Sequence, residues 1–496
     1  MAEELRGLKR CSFSRRGFLG ALGLGAGGLA LAACGATPAP AATATTVPAA
    51  EATSVPATEA PATEAPAVAT PTVVPTPTAA PVTAGQTEII WWDGNAFEEY
   101  MAFWDEQIRG YSTAKPEVAI TIAHAKNFDS FVTASAGGAA PDIYFMWDGA
   151  EPLGSWITQG LIVSLDEYIA SAGYDMNDMT PGSLKSVQYE GKVWGIPELA
   201  DIYLEQRNLK HYEEAGLPVD PVETLDVLYG HGEQLTQRND AGELTRLGLS
   251  LPTSWWHLWQ WLWLFNGSLY DEGAQKVTPE DPGVMRAIQE LADHYQKYGP
   301  DNIDRFWSSQ GQGFSAEDPF VVGNVSLRTD ADWMFDVMAR YAPDQAFEEV
   351  WDVFPVPYPK DIPEGKLASH ISPYPLVLSS AGKAPDVAFE VMVWMQDLER
   401  TVQAGAYMAN VPQTKSALQE CLIRKTGSPG WLAAVDFALN APNQRAFPVT
   451  PIAAEYSDRL GQEVDLIIHG TRAVEESLTA LRDELQESLQ TVLEQA

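Results

Sequence analysis

Cysteine is nearly absent: three residues in 496, at Cys11, Cys34 and Cys421. Three thiols cannot build a disulfide framework, so the fold must rest on a packed core. Basic residues are also scarce, 31 Lys and Arg against 67 Asp and Glu, for a formal charge of -36. Such a surface repels phosphate backbones and anionic lipid headgroups, which excludes nucleic acid as a partner and a polybasic membrane patch. The seven histidines, at 124, 211, 231, 257, 294, 370 and 469, form no H-x-x-x-H pair and have no cysteine nearby, so no transition-metal site is expected. Neither G-x-S-x-G nor G-x-x-x-x-G-K-[ST] occurs, and no cofactor is implied. What is present is apolar and aromatic: 45% hydrophobic residues, with 16 Trp, 17 Tyr and 17 Phe.

The first 86 residues read as an address and a tether. Arg6, Lys9, Arg10, Arg15 and Arg16 precede an apolar stretch from Gly17 to Ala33 that is short for a membrane span and carries six glycines. Ser14-Arg15-Arg16-Gly17-Phe18-Leu19 resembles the twin-arginine export motif, which implies export after folding. Leu31-Ala32-Ala33-Cys34 resembles a bacterial lipobox, which implies cleavage before Cys34 and a diacylglyceryl group on its sulfur. Gly23-Leu24-Gly25-Ala26-Gly27-Gly28 satisfies G-x-G-x-x-G but lies inside the apolar leader, where no strand-turn-helix can hold a dinucleotide. The stretch 34–86 is almost only Ala, Pro, Thr, Val and Ser, an extended stalk that cannot bury a core. Cys421 then stands alone and reads as a small buried apolar residue.

Beyond the stalk, about 410 residues suit two domains. Glu88 to Trp92 is a short β-type run broken at Asp93-Gly94; Phe97 to Tyr111 has helical periodicity; Val118 to Ala123 alternates; Pro141 to Trp147 reads as a buried strand. This rhythm predicts an α/β fold with parallel sheets and helices on both faces. Asp281-Pro282 opens a helix that Gly299-Pro300 closes, and Val474, Leu478, Leu481, Leu485 and Leu489 stripe a long helix near the end.

Trp91, Trp92 and Asp93, and again Trp147 and Asp148, fall at strand ends, where open α/β folds place ligands. Indole beside carboxylate is what sugar recognition needs. The apolar face of a pyranose packs on the ring while its hydroxyls donate to fixed carboxylates. In Trp255 to Trp263, the residues Trp255, Trp259, Leu262 and Trp263 share one helical face and read as core; Trp256, rotated off it, is the candidate contact.

Ala136-Gly137-Gly138-Ala139-Ala140-Pro141-Asp142-Ile143, Gly191-Lys192-Val193-Trp194-Gly195-Ile196-Pro197, Phe320 to Leu327 leading to Asp332-Trp333, Trp351 to Pro357 and Gly470 to Leu478 together resemble the extracellular solute-binding proteins of ABC importers, of the kind that binds maltose and oligosaccharides. The resemblance covers roughly residues 87 to 490. It implies a two-lobed periplasmic-binding-protein-like fold with a ligand cleft between lobes joined by crossings near Pro197–Ala200, Arg328–Asp330 and Leu378–Gly382. The expected division is 1–33 signal, 34–86 lipidated cysteine and linker, 87–198 and 330–380 in lobe 1, and 199–329 and 381–496 in lobe 2. The implied function is capture of a carbohydrate, an oligosaccharide, for importer permease subunits by a monomeric, lipid-anchored protein on the outer face of the cytoplasmic membrane, with no catalytic residue. The alternatives are a secreted glycoside-active enzyme using Asp148 with Glu198 or Asp330 with Asp332, and a binder of a non-sugar solute.

Under that resemblance Trp333 stands where family members place an aromatic against sugar, with Asp330 just before it. Trp194 and Glu198 flank the first crossing, Tyr374 lies near the third, and Tyr456 resembles a late aromatic before the final helices. One departure stands out. Where the family has Tyr-Asn before Leu, this chain has Leu204-Glu205-Gln206-Arg207-Asn208-Leu209.

Overall fold

A computed structural model describes residues 85–95, 97–147, 149–252 and 255–495. The readings that concern Arg15, Arg16, Cys34, the stalk and Asp148 lie outside the described residues, as do the side chains of Trp255 and Trp256.

Alternation in Thr87–Asp93 (β1) puts Ile89, Trp91 and Asp93 on a buried face. Helix Glu98–Ala114 (α1) begins with Glu98 and Glu99 in its first turn, and its buried stripe is Tyr100, Trp104, Ile108 and Tyr111. Strand Val118–Ala123 (β2) pairs parallel with β1. Ile143–Phe145 (β3), shorter than the run from Pro141 to Trp147 suggested, pairs parallel with β1 on its other edge.

The remaining strands of the sheet are Ile196–Asn208 (β4), Leu327–Ala331 (β5), Trp351–Phe354 (β6), Ala368–Leu378 (β7), Val411–Pro412 (β8) and Asn443–Arg445 (β9). The order along the sheet is β5-β4-β7-β3-β1-β2, with β6 and β8 also on β4 and β9 on β7. Parallel pairing was expected throughout; β4 instead pairs antiparallel with β5, β6, β7 and β8. The reason is that β4 and β7 are long strands running in opposite directions through both lobes. β4 pairs with β7 over Ile196 to Ile202 and with β5 over Tyr203 to Arg207.

This pairing relocates two expected crossings. β5 lies wholly against the second half of β4, so the chain does not cross at Arg328–Asp330. It returns inside β7, whose residues Leu376, Val377 and Leu378 reach β3; Leu378 ends that crossing rather than beginning one. The stretch 330–380 is therefore divided: β6 stays with the second half of β4, and only the end of β7 joins the first lobe. The first lobe is completed by helix Pro385–Met395 (its Phe389, Val391 and Met392 pack with Trp91 and Trp104), and β8 then meets β4 at Leu199 and Ala200.

Trp255–Leu264 forms a helix, as its sequence suggests, but the apolar residues are not confined to one face. Leu258, Trp259, Trp261, Leu262, Trp263 and Leu264 are all buried. The helix is enclosed by β7, helix Pro282–Tyr298 and helix Ala453–Ile468. Its polar Gln260 is matched to the β7 backbone, donating to the Ala368 carbonyl (3.0 Å) and accepting from the His370 N–H (2.6 Å). Pro282–Tyr298 opens as expected: Asp281 caps the Gly283 and Val284 amides at 2.9 and 3.3 Å, with Pro282 in the first turn. Val474–Gln495 buries its leucine stripe against the same core.

Close backbone approach matters most at Gly248, where a Cβ would lie 1.8 Å from the Gly232 carbonyl oxygen. Gly248→Ala is expected to lower stability by about 1–3 kcal/mol through forced displacement. It should appear as a lower urea midpoint at unchanged m-value; an unmoved midpoint would mean the loop yields freely.

Candidate functional site

The two long strands set the site. On β4, Asp201 and Tyr203 alternate onto one face; on β7, Tyr374 lies opposite Leu199. The Tyr374 ring stacks on Trp147, just beyond β3, at 4.9 Å and 21°, and its hydroxyl donates to Asp201 Oδ2. Asn410 Nδ2 donates to Asp201 Oδ1 at 2.5 Å. Asp332, which follows β5, faces Asp201 closely enough for their charges to interact, and its Oδ1 accepts from the Ile202 N–H at 3.4 Å. Tyr203 sits edge-on to Trp333 (5.8 Å) and to His257 (5.7 Å), and packs against His370 at 5.2 Å. Phe314, 51% exposed, lies 5.7 Å beyond Trp333. The first lobe, the crossing strands and the second lobe thus contribute to one cluster of rings and carboxylates.

Carboxylates outnumber cations here. Asp201, Asp330 and Asp332 are all buried. Burial outweighs the Tyr374 and Asn410 hydrogen bonds and pushes the Asp201 carboxyl up to about 7, with Asp330 adding to the rise. Burial and then Asp201 push Asp332 well above the usual range, so the pair keeps a proton where isolated carboxylates would lose it. Burial also works against ionised Asp330, but Arg328 (3.1 Å) and His257 (3.0 Å) outweigh it and hold its carboxyl low. The Tyr203 hydroxyl and Asp332 Oδ2 are buried with no hydrogen-bond partner in the protein, which leaves polar capacity for something that enters.

A family model for bacterial extracellular solute-binding proteins matches residues 94–399. The chain belongs to that family. Solved structures agree on the fold. CpMnBP1 with mannotriose bound is similar over 80% of this chain and 100% of its own (TM-score 0.69, 21% identity). A Listeria monocytogenes ABC substrate-binding protein in complex with cycloalternan covers 81% and 99% (0.65, 19%). The sugar-binding protein MalE from Xanthomonas citri covers 83% and 100% (0.68, 15%). A search of curated proteins finds no match.

The sequence candidates of this solute-binding protein separate into three groups. Trp147, Asp330, Trp333 and Tyr374 come together around Asp201, Tyr203 and Asp332. Trp91 and Tyr456, expected as ligand contacts, are corrected: both are fully buried in separate cores, Trp91 beside Phe145 and Tyr456 beside Phe447. Alternation on β1 sent Trp91 inward and left Trp92 half-buried on the opposite face, under the Lys126 ammonium at 5.0 Å. Asp93 is buried on the inward face and structurally engaged: it accepts from the Asn95 N–H (2.8 Å) and pairs with His124 (2.9 Å), which reaches Asp105 at 3.1 Å.

Trp194 lies at the edge of the core around Phe131 and Trp156, its indole donating to the Tyr189 carbonyl at 3.2 Å. Glu198 is buried with neither oxygen partnered, and burial, then Asp93, pushes its carboxyl well up. The Trp256 side chain and Asp148 lie outside the described residues.

Asp201, Tyr203 and His257 were missed. The alternation of Asp201 and Tyr203 with Ile202 and Leu204 was a legible signal of polar groups on one face of a strand. His257 was overlooked because it stands inside a run of indoles.

The raised carboxyls set a pH dependence. The folded protein binds more protons than the unfolded chain between the ordinary aspartate range and about 7, so the pair makes stability fall as pH rises through that window. Asp332→Asn is expected to flatten this decline in thermal unfolding between pH 4 and 7. A slope equal to that of the parent would remove the pair as its cause.

Proposed function

We propose that this solute-binding protein is an exported lipoprotein that captures a carbohydrate, an oligosaccharide, between its lobes and delivers it to the permease subunits of an ABC importer. The observation that carries the sugar reading is the stacked Trp147–Tyr374 pair, with Trp333 nearby, arranged around hydrogen-bonding Asp201. Aromatic faces and fixed acceptors in one cluster suit a pyranose, which has an apolar face and a ring of hydroxyl donors. That similar folds are solved with mannotriose and cycloalternan bound supports the same reading.

The protein binds without turnover. Both Asp201 oxygens are engaged by Tyr374 and Asn410, whereas a glycosidase needs two carboxyl groups free to act on either side of the scissile bond. Arg15 and Arg16 direct export by the twin-arginine route, and lipidated Cys34 holds a monomer on the outer face of the cytoplasmic membrane through the Pro-rich stalk.

The test is thermal unfolding of residues 87–496 against mono- and oligosaccharides, with product analysis of every hit. A sugar that raises the midpoint and is recovered intact is the expected result. A sugar that is consumed would replace binding by hydrolysis, and no shift with any sugar would end the carbohydrate reading. For the anchor, Cys34→Ala should release the full chain from the membrane fraction.

A further inference from the structure

The segments that build the site are unusually poor in positive charge. Residues 141–156, 196–206 and 404–414 contain no Lys, Arg or His; 250–270 contain only His257, 314–336 only Arg328, and 368–378 only His370. Each of these three is already committed. Arg328 is buried, its guanidinium donating to Asp318 (3.1 Å), to Asp330 (3.1 Å) and to the Gln206 side chain (3.2 Å), with its plane near the Phe320 ring. His257 is held on Asp330 at 3.0 Å. His370 is buried, with its imidazole kept neutral by that burial.

Against them stand the Asp201–Asp332 pair and, from the turn after β3, Glu151, whose charge also reaches the Tyr203 hydroxyl. Within the Asp201–Tyr203–Asp332 cluster, the buried groups without a hydrogen-bond partner in the protein are Asp332 Oδ2 and that hydroxyl. One is an acceptor, or a donor when the pair holds its proton; the other can do both. An entering hydroxyl or ammonium group can bond to them. An entering carboxylate, sulfate or phosphate meets the shared Asp201–Asp332 charge with no uncommitted cation to offset it, and must shed its water to do so.

We infer that this site sorts sugars by charge, admitting neutral and amino-bearing oligosaccharides and excluding those that carry an anionic group. The inference rests on the reading of the cluster as a sugar site and adds to it the chemical class of sugar. Selectivity here comes from a repulsive element, the buried Asp201–Asp332 pair, as much as from any attractive one.

Titration calorimetry at pH 7 and low salt, with maltotriose, mannotriose, the glucosamine trimer and trigalacturonate as probes, tests it. A neutral or amino trimer should bind, with trigalacturonate weaker by about a hundredfold or more. Trigalacturonate within tenfold of the best probe would overturn the charge rule while leaving the sugar reading intact. Silence from all four at millimolar concentration would overturn both.

Asp330→Asn tests the origin of the rule, because it releases His257 and one arm of Arg328. The ratio of neutral to anionic affinity should shrink by about tenfold. Retained binding of the neutral probe reports that the variant is folded, and Asp332→Asn, which also removes a buried carboxylate, serves if it is not. An unchanged ratio in folded Asp330→Asn would show that the commitment of Arg328 and His257 does not set the rule, and an unchanged ratio in folded Asp332→Asn that the Asp201–Asp332 pair is not what rejects anions.

Discussion

Arg207→Ala is expected to lower the unfolding free energy by about 3–5 kcal/mol, the usual consequence of removing one partner of a buried charge pair. Arg207 is 1% exposed. Its Nε donates to Asp352 Oδ1 at 2.8 Å and its Nη2 to Oδ2, completing a two-pronged contact between β4 and β6. The remaining donors satisfy the carbonyls of Asp220 (3.1 Å) and Val219 (2.7 Å), and the guanidinium lies 4.9 Å from both the Tyr212 and Phe354 rings. Truncation strands a carboxylate and two carbonyls at once. Arg207→Lys should recover little, because a compact ammonium cannot reproduce the planar fork or stack between two rings. Urea unfolding of the three proteins decides it; a loss below about 1 kcal/mol for Arg207→Ala would mean that water takes over its bonds.

Trp333→Ala is expected to weaken binding of the best oligosaccharide found by about ten- to a hundredfold, the worth of covering one aromatic face by a sugar ring. Trp333 is half-buried at the start of Met334–Tyr341, so the unliganded midpoint should hardly move. Tyr456→Phe serves as the counterpart, since Tyr456 lies in the core beside Phe447, and affinity should stay as it was. Calorimetry that finds Trp333→Ala as tight as the parent would remove Trp333 from the ligand's surroundings.

The sequence was most legible where periodicity was strong and local. β2 lies where its alternation put it, and the leucine stripe of Val474–Gln495 is buried as read. Crossing positions were not legible, because whether a strand changes partners midway is decided by the neighbours, not by its own residues. Nothing within Ile196–Asn208 marks the point where β7 gives way to β5.

The departure at Leu204 to Leu209 was visible as an anomaly, and the structure shows what Arg207 does there. Where the family pattern has an aromatic stands Arg207, lying between Tyr212 of the helix that follows and Phe354 of β6. At the site, aromatics were found by type and lost by facing. Trp91 and Trp147 look alike in sequence, yet strand pleat buries the first, and the stack on Tyr374 from a distant strand fixes the second.

The order in which these parts leave a ribosome has a consequence of its own. β3 finds its second neighbour only when Leu376 to Leu378 have been made, and the core of the second lobe joins Tyr212 and Trp259 to Leu481 and Leu489. During synthesis, then, most of the nascent chain must wait with half-built cores, and neither lobe can be finished in passing. A chain that becomes itself only when nearly whole keeps its apolar segments exposed through most of its synthesis, and that exposure is a time when they can meet wrong partners.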